Sequence, residues 1–255
     1  SYKMPNFKYY LLQSFNKALK PKGLVIVKPE SIHGAPQYIG ATLFSRKVHQ
    51  FEYFYDKIAN IEGDVIESGV WWGYGILSHL MFCRGYRGLT RKIYGFDSFQ
   101  GHSEADVKDM EGREFDNPGS TFQVAESDVW QTLKLGTNLG EADLRKHVTL
   151  IAGWLHETLP RFTSGNRKLK VALVHSDMDL YKPVSLTLTH LWDLVVKGGI
   201  IILGRLNNPE YMGKTTAVEE FVAGLPKESY SMEWIEISEL ESLKPLRLYY
   251  LIKKV

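Results

Sequence analysis

The sequence is poor in cysteine and in long apolar runs. A single cysteine, Cys83, excludes an internal disulfide and a metal centre built on thiolates, and it favours a reducing compartment such as the cytoplasm. The apolar runs are far shorter than the roughly 20 residues that a membrane-spanning helix needs. The first residues also lack the charged, apolar and cleavage regions of a secretory signal. We therefore expect a cytoplasmic protein with no membrane partner.

A strong excess of charge of either sign is absent as well. The formal net charge is +2, and no block of Lys and Arg forms a stripe for phosphate groups, so nucleic acid is not an expected partner. The chain has 255 residues, of which 44% are hydrophobic. This length and composition suffice for a large core and one α/β domain. We predict a single domain over residues 1–255.

Short apolar runs alternate with helical patterns along most of the chain. Strands are predicted at Asp64–Ser68, Lys92–Phe96, Val148–Ala152, Leu169–Val174, Gly199–Leu203, Met232–Ile237 and Arg247–Ile252. Helices are predicted at Ile76–Arg84, Leu186–Val196 and Thr215–Ala223. Strands spaced by helices indicate a mostly parallel sheet covered on both faces, with the last two strands forming an antiparallel C-terminal edge. Seven such strands resemble the Rossmann-like sheet of class I methyltransferases.

Two segments depart from this alternation. Residues 1–60 favour helices and loops, with helical runs at Phe7–Ala18 and Lys47–Ile58 and an irregular piece at Pro29–Tyr38 between them. Residues 102–139 are rich in Gly, Asp, Glu and Ser and have little strand character. A long insertion after a strand end is typical of a lid over a ligand crevice, and a flexible surface excursion is the alternative.

A glycine-rich turn follows the first predicted strand. The stretch GDVIESGVWWGYG places Gly69 and Gly73 after the acidic Glu67. Glycines let the backbone approach a ligand, and the next helix offers free N–H groups. Asp97, followed by Ser98, stands at the tip of the second strand, where an acid can accept both hydroxyls of a ribose. This pattern suits NAD and S-adenosylmethionine (SAM) equally. A purely structural turn and a capping role for Asp97 are the alternatives.

Two carboxylates, Asp177 and Asp179, follow the fourth predicted strand. If strand geometry persists, their side chains point to the same side, at the edge where open α/β sheets bind ligands. A carboxylate in that place can act as a general base, which typically adds about 10²–10⁴-fold to a rate. The alternative is that Asp179 caps the helix that begins near Pro183.

Five motifs in a fixed order resemble the macrocin O-methyltransferase (TylF-like) family over roughly residues 38–225. They read GDVIESGVWWGYG, FDSFQG, AGWLHETLP, HSDMDLY and GGIIIL. The resemblance implies SAM-dependent methylation of a hydroxyl on a small sugar-type or natural-product acceptor, and a homo-oligomer joined through residues 1–60. It assigns cofactor-binding positions to Glu67, Gly69, Trp71, Gly73, Asp97, Ser98, Gly153, Trp154 and Asp177.

The same resemblance makes Asp177 a magnesium-ligand position and Asp179 the general base. Relatives carry two acidic residues where this chain has Gly204 and Arg205. Because Mg²⁺ prefers several oxygen ligands, we predict that this chain binds no metal. The Arg205 guanidinium can then stand in for the cation beside Asp177. A changed or inactive site and an ordinary surface arginine are the alternatives, and oxygens offered after a loop shift would restore a metal site. Those oxygens belong to Asn207, Asn208 and Glu210.

The sequence thus predicts a SAM-dependent O-methyltransferase with Asp179 as base and with Asp177 and Arg205 beside it. The Gly204-Arg205 departure favours, as an alternative, a non-catalytic homologue that binds SAM or a metabolite. An NAD-dependent oxidoreductase is disfavoured because the glycine spacing does not match its fingerprint. His175 is a minor candidate for a base near neutral pH, since a packed histidine explains it equally well.

Overall fold

One seven-stranded sheet carries the candidate site. In this computed structural model, the residues described are 36–84, 90–110, 122–209, 211–237 and 246–255. The strands are β1 (Asp64–Ser68), β2 (Ile93–Asp97), β3 (Val148–Ala152), β4 (Val171–Ser176), β5 (Val195–Gly204), β6 (Tyr230–Ile237) and β7 (Leu246–Lys253). Their order is β3-β2-β1-β4-β5-β7-β6. β1 to β5 pair in parallel, whereas β7 is antiparallel to β5 and β6. The predicted seven-stranded, Rossmann-like architecture is confirmed.

Helices follow most of the parallel strands. They are α1 (Pro36–Lys57), α2 (Tyr74–Cys83), α3 (Val107–Met110), α4 (Glu126–Thr137), α5 (Glu141–Leu144), α6 (Leu155–Gly165), α7 (Tyr181–Leu191) and α8 (Met212–Ala223). Short 3₁₀ turns occupy Trp192–Leu194 and Lys227–Ser229. Within the parts of the chain given above, no helix is both long and apolar enough to cross a membrane.

Among the described residues, the core consists of two apolar clusters. One takes buried residues of α1, α2 and α4, and the other takes those of α6, α7 and α8. β1 sends Val65 to the first cluster and Ile66 to the second, as alternation along a strand requires. All six residues of β4 are buried, which explains why its sequence is an apolar run and not an alternating pattern.

The predicted element limits hold for some elements and shift for others. β1 and β3 begin and end where predicted. α1 begins at Pro36, so the predicted irregular piece Pro29–Tyr38 is wrong over its last residues. α7 begins at Tyr181, earlier than the predicted Leu186, because Pro183 lies in its first turn and is accepted there. The predicted helix Phe7–Ala18 lies outside the described residues.

The insertion predicted at residues 102–139 contains a packed helix. In α4, Val129, Trp130 and Leu133 are buried in the first apolar cluster. The buried face of Glu126–Thr137 therefore belongs to the core. Asn138 ends the helix in a left-handed conformation (φ 56°), a position that Asn tolerates well. The role of residues 102–139 as a lid stays a prediction.

The chain divides by its contacts into Ser1–Leu43 and Phe44–Val255. Apart from the first turns of α1, the elements described here belong to the second unit. The single domain over residues 1–255 and the cap or oligomerisation role of residues 1–60 stay predictions.

Candidate active site

The ends of β1, β2, β4 and β5 lie at one edge of the sheet. The chain order reverses between β1 and β4, since β2 and β3 extend the sheet on one side of β1 and β4 and β5 on the other. A reversal of this kind opens a crevice at the carboxyl ends of the strands, and open α/β sheets bind their ligands there. Most of the residues predicted from sequence follow these strand ends.

Asp97, at the end of β2, holds the glycine-rich turn after β1. Its Oδ2 accepts the backbone N–H groups of Val70 (2.8 Å) and Trp71 (2.9 Å), and its Oδ1 accepts that of Phe99 (2.8 Å). Trp71 and Phe99 both have positive φ angles, of 47° and 57°, which are unusual for bulky residues. The carboxylate therefore stabilises two strained loops at once. The capping alternative is observed, and contact with a ribose remains a prediction.

Gly69 and Gly73 shape the same turn. Gly69 has a φ of 90°, and a Cβ there would lie 2.8 Å from the Asp177 carbonyl oxygen. The turn thus packs directly on the backbone that follows β4, where Asp177 N–H donates to the Ser68 carbonyl (2.9 Å). Gly73, with a φ of 81°, precedes the first residue of α2. Glycine is required here for backbone conformation and close approach.

Glu67 is buried beneath the start of α2, with a residue exposure of 1%. A Cβ added to Gly75 would collide with its carboxylate. Its oxygens lie 3.6 Å from His79 Nε2 and 3.7 Å from His175 Nδ1. Burial raises the pKa of Glu67 and holds that of His79 well below the usual value, because burial disfavours the charged form of each group.

Several buried polar atoms at this edge lack a hydrogen-bond partner among the described residues. They belong to Glu67, Ser68, His79, His102, Ser103, His175 and Ser176. Unpaired buried polar atoms are costly, so a concentration of them beside a glycine-rich turn fits a polar ligand. Glu67, His79 and His175 also place one potential metal-ligating atom each within 4.8 Å of the others. All three are fully packed, with Phe51 stacked 4.0 Å from the His79 ring.

Asp177 follows β4 and is paired with a lysine from α1. Lys47 Nζ donates to Asp177 Oδ2 over 2.6 Å, and His175 Nε2 lies 3.7 Å from the other oxygen. Burial acts to raise the pKa of Asp177, but the charge of Lys47, followed by that of His175, outweighs it and holds this pKa well below its usual value. Asp177 is therefore a permanent anion at physiological pH.

Asp179 is paired with a second lysine, from α8. Lys214 Nζ lies 3.7 Å from Asp179 Oδ1, and the two side chains are 8% and 40% exposed. The ammonium also lies beside Gly204, the last residue of β5: a Cβ on Gly204 would be 3.1 Å from Lys214 Nζ. Gly204 has a φ of 79°. The lysine therefore lies where a longer side chain at position 204 would project.

One pocket collects these charged groups. Its lining comes from the end of β4, the end of β5, α1 and the start of α8, and it comprises Lys47, Gln50, His175, Asp177, Asp179, Gly204, Arg205, Asn208, Tyr211, Lys214, Ile237 and Leu248. The structure thus brings together the three residues predicted as catalytic, Asp177, Asp179 and Arg205. Lys47 and His175 are the partners described for Asp177, and the pairing of Arg205 with Asp177 stays a prediction.

The remaining predicted cofactor residues follow β2 and β3. Ser98 Oγ donates to the Gly101 carbonyl (3.1 Å) and accepts the N–H of Gln100. Gly153 has a φ of 131° and donates its N–H to the Asp97 carbonyl (3.0 Å). Trp154 is half-buried and directly precedes α6. These residues lie along the strand ends that flank the crevice, and their contact with a cofactor stays a prediction.

Sequence reasoning missed Lys47, His79 and Lys214. Lys47 and His79 lie in helices where a lone charged or ring residue carries no motif. An indirect signal for Lys214 was present: position 204 lacks the acid that would help to bind a metal ion, so another cation is expected in place of that ion. No spacing rule, however, connects residue 204 to residue 214.

A seven-stranded sheet of this order, with a glycine turn after β1 and an acid ending β2, defines the Rossmann-like methyltransferase class. The macrocin-O-methyltransferase (TylF) family model matches residues 33–225. The chain therefore belongs to the macrocin O-methyltransferase family, as its five motifs predicted.

Solved structures agree on the fold. The calicheamicin methyltransferase CalS11 superposes with a TM-score of 0.63 at 19% identity, covering 97% of this chain and 94% of that protein. The O-methyltransferase NovP superposes with a TM-score of 0.61 at 23% identity, covering 82% of this chain and 80% of that protein. At such identities the likeness establishes the architecture alone.

A curated relative is similar over part of the sequence. The demethyldecarbamoylnovobiocin O-methyltransferase of Streptomyces niveus is 28% identical over 147 residues, which are 56% of this chain and 53% of that protein. The chain spans about half the length of the curated relatives that it matches.

Proposed function

We propose that this protein is a SAM-dependent O-methyltransferase acting on a hydroxyl of a small sugar-type or natural-product acceptor. The observation that carries this proposal is the family membership over residues 33–225, combined with a carboxylate pair at the carboxyl end of β4. The curated relative's name, demethyldecarbamoylnovobiocin O-methyltransferase, supports the acceptor class.

The crevice between β1 and β4 suits SAM, which when bound supplies a methyl group on a positively charged sulfur. Glu67 is a buried acid in β1 whose two oxygens have no hydrogen-bond partner among the described residues, and it would attract the cationic amino-acid end of the cofactor. Asp97 fixes the backbone of two loops that would line the adenosyl part. A carboxylate offers about four acceptor positions, so one remains for a ribose hydroxyl after its three N–H bonds.

Asp179 is the best candidate for the general base. Its side chain is 40% exposed and faces the pocket, so an acceptor hydroxyl can reach it. By accepting the hydroxyl proton, the carboxylate would raise the nucleophilicity of the acceptor oxygen. Asp177 is less suited, because its Oδ2 is already bonded to Lys47 at 2.6 Å and its low pKa makes it a weak base.

Cofactor binding and methyl transfer can be tested separately. SAM at about 100 times its Kd should stabilise the fold by about 2.7 kcal/mol, seen as a thermal shift, whereas NAD should give none. Transfer of a labelled methyl group should be assayed on demethyldecarbamoylnovobiocin and a panel of hydroxylated glycosides. Asp179→Asn should keep the thermal shift and lose most of the transfer. The absence of any shift with SAM would end this proposal.

A further inference from the structure

Each carboxylate of the pocket is matched with a lysine that is itself almost fully buried. The side chains of Lys47 and Lys214 are 10% and 8% exposed. Lysine is rarely buried to this degree unless an anion balances its charge. Lys47 comes from α1 and Lys214 from α8, so two separate elements each deliver an ammonium to the same loop.

The position of Lys214 coincides with the missing side chain at Gly204. A Cβ on Gly204 would lie 3.1 Å from the ammonium nitrogen and 3.7 Å from Lys214 Cε. An acidic side chain at this position would point into the space that the lysine head now fills. The lysine head can therefore occupy this space only because position 204 carries no acidic side chain.

A hard divalent ion does not fit these residues. Mg²⁺ requires near-octahedral oxygen ligands at about 2.0–2.1 Å. Asp177 Oδ2 is occupied by Lys47 at 2.6 Å, and the Asp179 carboxylate faces Lys214. An ion bound between the two carboxylates would lie within a few ångströms of two ammonium groups, whose charges repel it.

We propose that the Lys214 ammonium is a fixed cation of this pocket that takes the place of a divalent ion, so that the acceptor oxygen is oriented and polarised between Lys214 and Asp179. This role rests on the proposed function. In the transfer step, the acceptor O–H proton passes to Asp179, and the oxygen lone pair forms the bond to the methyl carbon. The carbon–sulfur bond breaks with its electron pair moving to sulfur, and Lys214 lowers the cost of negative charge on the oxygen.

The test is Mn²⁺ binding, followed by electron paramagnetic resonance on the protein without SAM or acceptor. We expect the unaltered chain to leave the free Mn²⁺ signal undiminished. Lys214→Met, alone or combined with Lys47→Met, should gain Mn²⁺ binding, since the carboxylates then lose their ammonium partners. Gly204→Asp with Lys214→Ala should bind most tightly because it restores a carboxylate and removes the cation. Gly204→Asp alone should bind little, because Lys214 pairs with the introduced carboxylate.

Matched controls separate the alternatives. Lys214→Arg keeps the charge, and Lys197→Met removes an exposed lysine of β5, so neither should gain Mn²⁺ binding. Circular dichroism checks folding, in particular for the Gly204 variants, whose φ is unfavourable; the Lys→Met variants avoid that strain. Stoichiometric Mn²⁺ binding by the unaltered chain, or no gain in any folded variant, would overturn the inference. Since neither SAM nor acceptor is present, the result is independent of whether the proposed function fails.

Discussion

Lys47 and Asp177 are 130 residues apart in the sequence and form a hydrogen-bonded ion pair of 2.6 Å. The pair joins helix α1 to the loop after β4, which is the central strand of the sheet. It also anchors one wall of the pocket, because Lys47 and Asp177 both line it. The lysine side chain is 10% exposed and the aspartate side chain is 46% exposed. The ion pair is therefore intermediate between a surface ion pair and a buried ion pair.

The coupling of this pair is measurable in a double-mutant cycle. Lys47→Met, Asp177→Asn and the double variant should give a coupling energy of about 1–2 kcal/mol, between the values typical of exposed and of buried pairs. Urea unfolding provides the measurement. Additive effects of the two substitutions would show that the ion pair contributes nothing to stability.

The low pKa of Asp177 predicts a definite pH dependence. A carboxyl whose pKa is lower in the folded state stabilises the protein above its unfolded pKa of about 3.9, and this contribution is lost as the pH falls through the folded pKa. The difference in free energy of unfolding between the unaltered protein and Asp177→Asn should therefore be largest near neutral pH and shrink below about pH 4. A difference that grows on acidification would contradict the assignment.

A metal chelator should leave the proposed methyl transfer unaffected. If Lys214 supplies the cation, EDTA does not lower the rate of methyl transfer and added Mg²⁺ does not raise it. The measurement is the initial rate with labelled SAM before and after dialysis against EDTA. A rate that collapses with EDTA and returns with Mg²⁺ would show that the pocket accepts an ion despite its two lysines.

Asp97→Asn should destabilise the protein by about 1–3 kcal/mol. Three backbone N–H groups bond to the two carboxylate oxygens of Asp97, whereas an amide offers only one oxygen. For a chain of this size the destabilisation corresponds to a fall in Tm of roughly 2–4 °C per kcal/mol. Asp143→Asn is the control and should have a much smaller effect, since Asp143 forms a solvent-exposed pair with Lys146. Equal effects of the two substitutions would remove the structural role of Asp97.

The lone thiol should be inert in the native protein. Cys83 is fully buried, and burial raises its pKa to about 12, far above the value of about 8.5 for a free thiol. We expect iodoacetamide at pH 8 to label Cys83 after denaturation and to leave it unmodified in the native protein, as followed by intact-mass spectrometry. Rapid native labelling would mean that this part of the core opens.

The central fold could be predicted from sequence because buried parallel strands form uninterrupted apolar runs. β4 shows this most clearly, since all six of its residues are buried and Val171–Val174 is an apolar run. β1 and β3 also matched their predicted limits. Helix starts were less predictable: Pro183 marked the start of α7, but the N-cap of that helix is Leu180 and not Asp179, and its side chain makes no cap bond. The helix α4 was hidden in a polar segment, since its few apolar residues occupy one face.

The site was predictable where residues follow strand ends and not where helices deliver them. Asp97, Asp177 and Asp179 each follow a strand, so topology alone brings them to one edge. The contact of His175 with Glu67 follows from strand register, because these two residues are paired between β4 and β1. Lys47 lies in α1 and Lys214 in α8, and both line the pocket. Their positions depend on how each helix packs on the rest of the protein, which no local sequence pattern encodes.

The three N–H bonds of Asp97 also have a mechanical consequence. One carboxylate accepts hydrogen bonds from the backbone after β1 and from the backbone after β2. A large shift of either loop would therefore break these bonds or displace the other loop. A ligand that contacts either loop should therefore affect the position of both, so that the two loops beside the crevice move together. Amide exchange at Trp71 and Phe99 should accordingly slow down together when a ligand enters.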